Sequence, residues 1–184
     1  MDIDYGPLAG LLGSWRGDQG LDISPEPDGS EVSPFYETIT FEAAGDATNA
    51  ETQALAVVRY HQAVFRKSND QQFHDQVGYW MWDAEAEVVM QSITIPRAVC
   101  VLAGGTFAAV DAANDKVVLE VAAKLGDDQW GIIQSPFMRD NASTVEFRHR
   151  LTIQADKLSY AETTFLEIYG KSFDHTDENI LLRG

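Results

Sequence analysis

From Gly13 onward the chain alternates apolar and polar positions with few interruptions, the period of two expected of strands with one buried face. In 34–43, Phe35, Glu37, Ile39 and Phe41 share one face, and Tyr36, Thr38 and Thr40 share the other. Strand-like segments also run over 13–21, 54–66, 72–82, 87–96, 98–102, 106–110, 116–123, 130–138, 143–154 and 157–169. Turn-forming stretches separate most of them: Gly45–Asn49, Lys67–Asp70, Asp83–Ala86, Arg139–Asn141 and Ala155-Asp156. Ser24–Ser33, with Pro25, Pro27, Asp28 and Gly29, reads as a loop. Tyr5–Leu12, opened by Gly6-Pro7, reads as one or two helical turns plugging one end. Val117–Leu125 has some helical character, but its β-branched residues and its neighbours favour a strand. The pattern predicts a single all-β domain over residues 1–184, an antiparallel up-and-down barrel of about ten strands. Closure removes exposed edges, and a barrel of this size holds one ligand.

Charge narrows the choice of partner. Lys and Arg number 13 and Asp and Glu 29, so the net charge is −16. Such a surface repels phosphates, which argues against nucleic acid and anionic membranes as partners. The acidic opening Met1-Asp2-Ile3-Asp4 lacks the character of a secretion signal, and Leu8–Leu12 is too short to span a membrane. A cytoplasmic location is the expectation. The lone cysteine, Cys100, cannot form an internal disulfide, and its apolar neighbours predict a small buried side chain. There is no phosphate-binding glycine loop, nucleophile elbow, Cys-x-x-Cys or His-Glu-x-x-His.

Several segments together resemble the nitrobindin family of haem-binding barrels, related in shape to lipocalins and fatty-acid-binding proteins. Gly13-Ser14-Trp15-Arg16-Gly17-Asp18-Gln19-Gly20 resembles the family's Gly-x-Trp-x-Gly-x-Gly opening, with one extra residue before the last glycine. Pro34 to Phe41 resembles its second strand, and Phe73 to Trp80 its His-x-Glu-x-Gly-Tyr segment. Arg148 to Tyr160 resembles its penultimate hairpin. His175, shortly before Ile180-Leu181-Leu182-Arg183, falls where the family places its proximal haem histidine. Thr176, Asp177 and Glu178 follow it, where the family usually has an apolar residue, and Pro96-Arg97 replaces an often Gly-containing stretch.

The resemblance implies haem b as cofactor, His175 as axial ligand to the iron, and His74 on the opposite, distal side. It further implies binding of nitric oxide and isomerisation of peroxynitrite to nitrate at ferric haem. It places Trp15 at the barrel base, with Arg183 stacked on it. His175 is expected just after the last strand, with Asp174 or Asp177 holding its second nitrogen. Lys171–Asn179 is expected to be a polar segment that a bound cofactor would order. Arg59, Arg97 and Arg139 are candidate partners for a haem propionate. Trp80 and Trp82 share one face of a strand, as core or pocket wall. A turn centred near Asn69 sets His61 beside Val77 and His74 beside Val64, on opposite faces, which argues against a zinc site between the two histidines. Two alternatives stay open: a haem-free carrier or sensor of a small apolar, fatty-acid-like molecule, and an enzyme using interior polar groups such as His61, His149 and Glu162.

Overall fold

The computed structural model describes residues 3–111 and 116–184; Met1 and Asp2 of the acidic opening lie outside the described residues. A short 3-10 helix, Gly6–Leu11, precedes β1 (Gly13–Glu26), β2 (Gly29–Ala50), β3 (Gln53–Arg66), β4 (Gln72–Asp83), β5 (Val88–Ile95), β6 (Val99–Asp111) and β7 (Lys116–Lys124). Then come β8 (Ile132–Gln134), helix α1 (Pro136–Asn141), β9 (Ala142–Gln154), β10 (Lys157–Ile168) and β11 (Lys171–Arg183). Ten strands close an antiparallel ring in the order β5-β4-β3-β2-β1-β11-β10-β9-β7-β6, sealed by pairing of β5 with β6. The short β8 is an extra strand laid along Val99–Val101 of β6. This is the closed all-β barrel that the alternating pattern predicts.

Five segments differ from the sequence reading; one is Gly45–Asn49, which is not a turn but part of β2, with Gly45 opposite Val57 and Ala47 opposite Leu55 on β3. Ser24–Ser33 is not a loop: β1 runs to Glu26 and β2 starts at Gly29, leaving a tight turn at Pro27-Asp28. Pro25 is tolerated because it pairs with Ser30 at the hairpin tip, where one missing N–H costs little. Segments 98–102 and 106–110 are one strand, β6. Gly104 and Gly105 join them, since the Trp130 ring and the Glu120 backbone leave no room there for a side chain. Most of 130–138 is not strand, because Ser135 caps α1 through Met138 N (3.3 Å) and Pro136 opens it. Finally, Lys171–Arg183 is a full strand, considered below.

The extra residue in the glycine-rich opening is a β-bulge. Gly17 pairs with Glu37 and Gly20 with Phe35, so three steps on β1 match two on β2. The bulge keeps Trp15 and Asp22 both inward although seven positions separate them. At Gly20 any Cβ would run into the Phe35 ring, so the glycine is required.

One end of the barrel is filled. Leu8, Leu11 and Trp15 are fully buried, and the indole Nε1 donates to Leu11 O at 2.7 Å. The Arg183 guanidinium lies 4.2 Å from the Trp15 ring centroid and donates to Gly10 O at 3.0 Å. Helical plug, tryptophan base and arginine cover are all as read from the sequence. Trp80 and Trp82 are both core. Space remains toward the other end, near the β1–β2, β5–β6 and β10–β11 turns.

Candidate functional site

In β11 the odd-numbered residues face inward: Phe173, His175, Asp177, Asn179 and Leu181 alternate with more exposed neighbours. His175 therefore lies within the last strand, not beyond it. Lys171–Asn179 is paired along its length with β10, where Thr164 lies opposite His175, and over Thr176–Glu178 with β1, where Asp22 lies opposite Asp177. The strand escaped the sequence reading because its inward positions carry His, Asp and Asn where the other strands carry Val, Leu or Phe.

Register assembles a polar layer across four adjacent strands. Asp22 (β1) pairs with Asp177 (β11), Asp177 with Glu162 (β10), and Glu162 with His149 (β9). Above it sits His175, whose Nε2 is 2.7 Å from Asp22 Oδ1 and 3.6 Å from Asp177 Oδ2. Asp22, rather than Asp174, is thus the principal carboxylate partner; Asp174 is exposed. Asp177, the other candidate, is the second partner. Burial alone would raise the Asp22 carboxyl, but the hydrogen bond and charge of His175 outweigh it and hold it below the ordinary value. His175 moves up: the Asp22 bond and the charges of Asp177, Asp22 and Glu162 overcome its own burial. Burial pushes Asp177 up to about 7 despite the opposing charge of His175, with Asp22 and Glu37 adding to the rise.

Glu162 has the least support. Its side chain is 13% exposed, no described residue donates a hydrogen bond to it, and His149 Nδ1 is 3.7 Å away. That nitrogen is already bonded to Gln91 Oε1 at 2.9 Å. Burial, reinforced by the charge of Asp177, pushes the Glu162 carboxyl up to about 8. Glu37, deeper in the barrel, shows the contrast: Tyr160 and Asn179 donate to its Oε1 at 2.9 and 2.7 Å, and Gln62 to its Oε2 at 2.6 Å. His149 is buried among the Trp80, Phe147 and Tyr160 rings, and burial lowers its pKa to about 3.

Two adjoining cavities of about 360 and 180 Å³ share Phe73, His74, Glu162, His175 and Asp177. The larger is walled by Ile93, Val99, Val101, Phe147 and Leu166, a largely apolar surface with carboxylates at one end. The structure thus brings His74 and His175 to the same cavities. Gln76 Nε2 donates to Tyr60 Oη at 2.8 Å, so its Oε1 faces His74 Nε2 at 3.2 Å. This arrangement makes neutral His74 the Nε2–H tautomer, with its lone pair on Nδ1. Burial keeps it neutral by lowering its pKa.

The other candidates are spread out. His61 is exposed and 3.0 Å from Asp75, and it pairs with Val77 while His74 pairs with Val64, the register the turn at Asn69 implies. Of the three residues considered for an interior enzyme, only His149 and Glu162 are inside. Arg59 is bound to Glu42 and Arg139 to Asp140 on the outer surface. Arg97 lies exposed on the rim of the larger cavity. Arg66, which the sequence reading missed, lines the smaller one over the Phe73 ring at 4.4 Å.

Cys100 is exposed, contrary to expectation. Strand alternation turns Val99 and Val101 inward and leaves the thiol outside, whatever its neighbours' polarity. In folded protein without denaturant, an uncharged maleimide is expected to add one equivalent at Cys100, read as a single mass increment. A thiol that reacts only after unfolding would contradict that exposure.

A family model for the THAP4-like, haem-binding β-barrel domain matches residues 4–183. The chain belongs to this family of haem-binding β-barrel domains. The match bears out the resemblance drawn from the glycine-rich opening, the His74 segment and the His175 end. The fold is also that of a solved protein, Rv2717c from M. tuberculosis: TM-score 0.73, 19% identity, covering 98% of this chain and 99% of that one. No curated protein matches the sequence significantly. No helix among the described residues is long and apolar enough to cross a membrane.

The site fits what a THAP4-like barrel would need to hold haem. His175 is on the cavity wall, 29% exposed, with one ring nitrogen held by a carboxylate. No described residue bonds the other nitrogen. Metal-bound histidines usually have this form, one nitrogen on the metal and the other on a carboxylate or carbonyl.

Proposed function

We propose that this barrel binds haem b through His175, takes up nitric oxide on the His74 side, and isomerises peroxynitrite to nitrate. The observation that carries the reading is a carboxylate-anchored imidazole on the wall of a mostly apolar cavity, in a haem-binding family. The bound ferric haem would supply the electrophilic centre at which peroxynitrite rearranges. Asp22 orients His175 and raises its basicity. The apolar wall excludes water and competing polar ligands. Arg97 at the rim and Arg66 at the smaller cavity are the cations placed to receive propionates on an otherwise acidic protein. His74, fixed by Gln76, offers a hydrogen-bond acceptor at Nδ1, or a donor when protonated.

A fatty-acid-like ligand is a poorer fit. Its head group would meet Asp22, Glu162 and Asp177 at the polar end of the cavity, where the one cationic side chain, His175, is already held by Asp22.

The test is a hemin titration of chelator-treated protein followed by rapid-mixing assays with peroxynitrite. One saturable equivalent with a Soret band, and a nitrate yield above that of free hemin, are expected. Asp22→Asn should weaken hemin binding about 10–100-fold, the usual effect of losing the group that orients a ligand. Hemin held no more tightly than by an unrelated acidic protein would end the proposal. A lipid co-purifying in native mass spectrometry would then favour the carrier.

A further inference from the structure

We infer that Tyr60, acting through Gln76, fixes His74 as a hydrogen-bond acceptor toward the cavity, so that the site prefers ligands carrying a proton on the atom nearest His74 over anions of similar size. The ligand preference rests on the haem reading above; the lock on His74 does not.

His149, at the other end of the same hydrogen-bond chain, decides its sense. Its Nδ1 is 2.9 Å from Gln91 Oε1, and its Nε2 is the one fully buried side-chain nitrogen or oxygen without a partner among the described residues. With the proton on Nδ1, that orphan is a bare lone pair. With the proton on Nε2 it would be an N–H, and a buried N–H is more rarely left unpaired than an acceptor. Gln91 therefore turns its carbonyl to His149 and its NH₂ to Tyr60, where Nε2 donates to Oη at 3.2 Å.

The phenol has one proton and two lone pairs to place. Ser92 O, 3.4 Å away, can only accept, so it takes the proton. Gln91 uses one lone pair, and Gln76 Nε2 uses the other at 2.8 Å. A flipped Gln76 would bring a second carbonyl to the same single proton and leave a lone pair unused. All three capacities of Tyr60 are met only when Gln76 shows its carbonyl to His74 Nε2, 3.2 Å away, which must then be the N–H. Tyr60, Gln76 and Gln91 are 3%, 2% and 0% exposed, so solvent does not compete for these bonds. The remaining nitrogen, His74 Nδ1, has no described partner and is not fully buried, so its lone pair opens on the cavities that His74 lines. A ligand O–H or N–H can donate to it, whereas an anion sets lone pair against lone pair.

Nitrogen NMR of the isotope-labelled, haem-free protein at pH 7.5 separates protonated from bare imidazole nitrogens. His74 is expected to carry its proton on Nε2, and Tyr60→Phe and Gln76→Leu should each shift it toward Nδ1. Circular dichroism melts establish that both variants are folded. In the hemin-loaded ferric protein, azide, an anion at this pH, should bind Tyr60→Phe and His74→Leu about two- to tenfold more tightly than the parent, the worth of one hydrogen bond. A parent His74 protonated at Nδ1, a tautomer unmoved by both variants, or azide held more weakly once His74 is replaced would overturn the inference. The two readings fail separately. Hemin that does not bind removes the haem reading and the ligand preference with it, while the spectra still decide the lock. Hemin that binds beside a His74 protonated at Nδ1 removes this inference alone.

Discussion

Hemin added to His175→Ala is expected to give no Soret band at concentrations that saturate the unaltered protein. Loss of the axial nitrogen should weaken binding by more than roughly 100-fold, past the range expected when only its orienting partner is lost. Truncation also strips Asp22, whose side chain is 5% exposed, of its main hydrogen-bond partner. Leaving a buried carboxylate unpaired is destabilising in its own right. The informative comparison is therefore the double variant Asp22→Asn/His175→Ala, in which the unpaired charge is gone and only the ligand is missing. Free imidazole should restore part of the band by filling the vacated space. Retention of the wild-type band in His175→Ala would reject this residue as the ligand. His74→Ala would then be the next variant to titrate.

Glu162→Gln is expected to stabilise the haem-free, metal-free protein at high pH and to leave it unchanged at low pH. In the fold the Glu162 carboxyl titrates at about 8, against 4.5 for an unperturbed glutamate. The folded state therefore holds a proton over this interval that the unfolded chain has released. Stability must fall as pH rises from 4.5 to 8 and level off beyond. The full difference is roughly 5 kcal/mol at about 1.36 kcal/mol per pH unit. Glutamine keeps the shape without the titration, so chemical denaturation at pH 8.5 and at pH 4.5 should show the gain at the former alone. His149 provides an internal reference. Its folded pKa is depressed to about 3, so its contribution is lost as pH falls below the unfolded histidine value, and the variant should keep that acid limb. A Glu162→Gln protein no more stable than its parent at pH 8.5 would mean that the carboxylate finds a partner in solution.

The barrel was legible because most of its strands obey a simple rule, apolar inward and polar outward, punctuated by turns. The rule fails where the inward face is itself polar. β11 carries His175, Asp177 and Asn179 on that face, so the strand that holds the candidate ligand read as a tail. Asp22 was hidden for a related reason, since it lies where β1 runs on toward Pro25 and Pro27, a stretch that reads as a loop. His74 and His175 were recognisable from motif order, but their common cavity depends on the closing of the sheet. Cys100 shows the opposite error: hydrophobic neighbours suggested burial, while strand parity placed the thiol outside. Glu162 and His149 were visible as interior polar residues; no sequence signal revealed that neither donates to the other.

The seam between β1 and β11 has a consequence for biosynthesis. His175 and Asp22 are 153 positions apart, and the bond between them spans the joint that closes the ring. While the ribosome is still making β10, β1 has no neighbour on that side, and the pocket has neither its imidazole nor its wall. Completion of the pocket is therefore a late event, waiting on the slowest kind of contact a chain can make. A nascent chain cut short before Lys171 would present two raw sheet margins, a form suited to aggregation and to removal by proteases rather than to partial function.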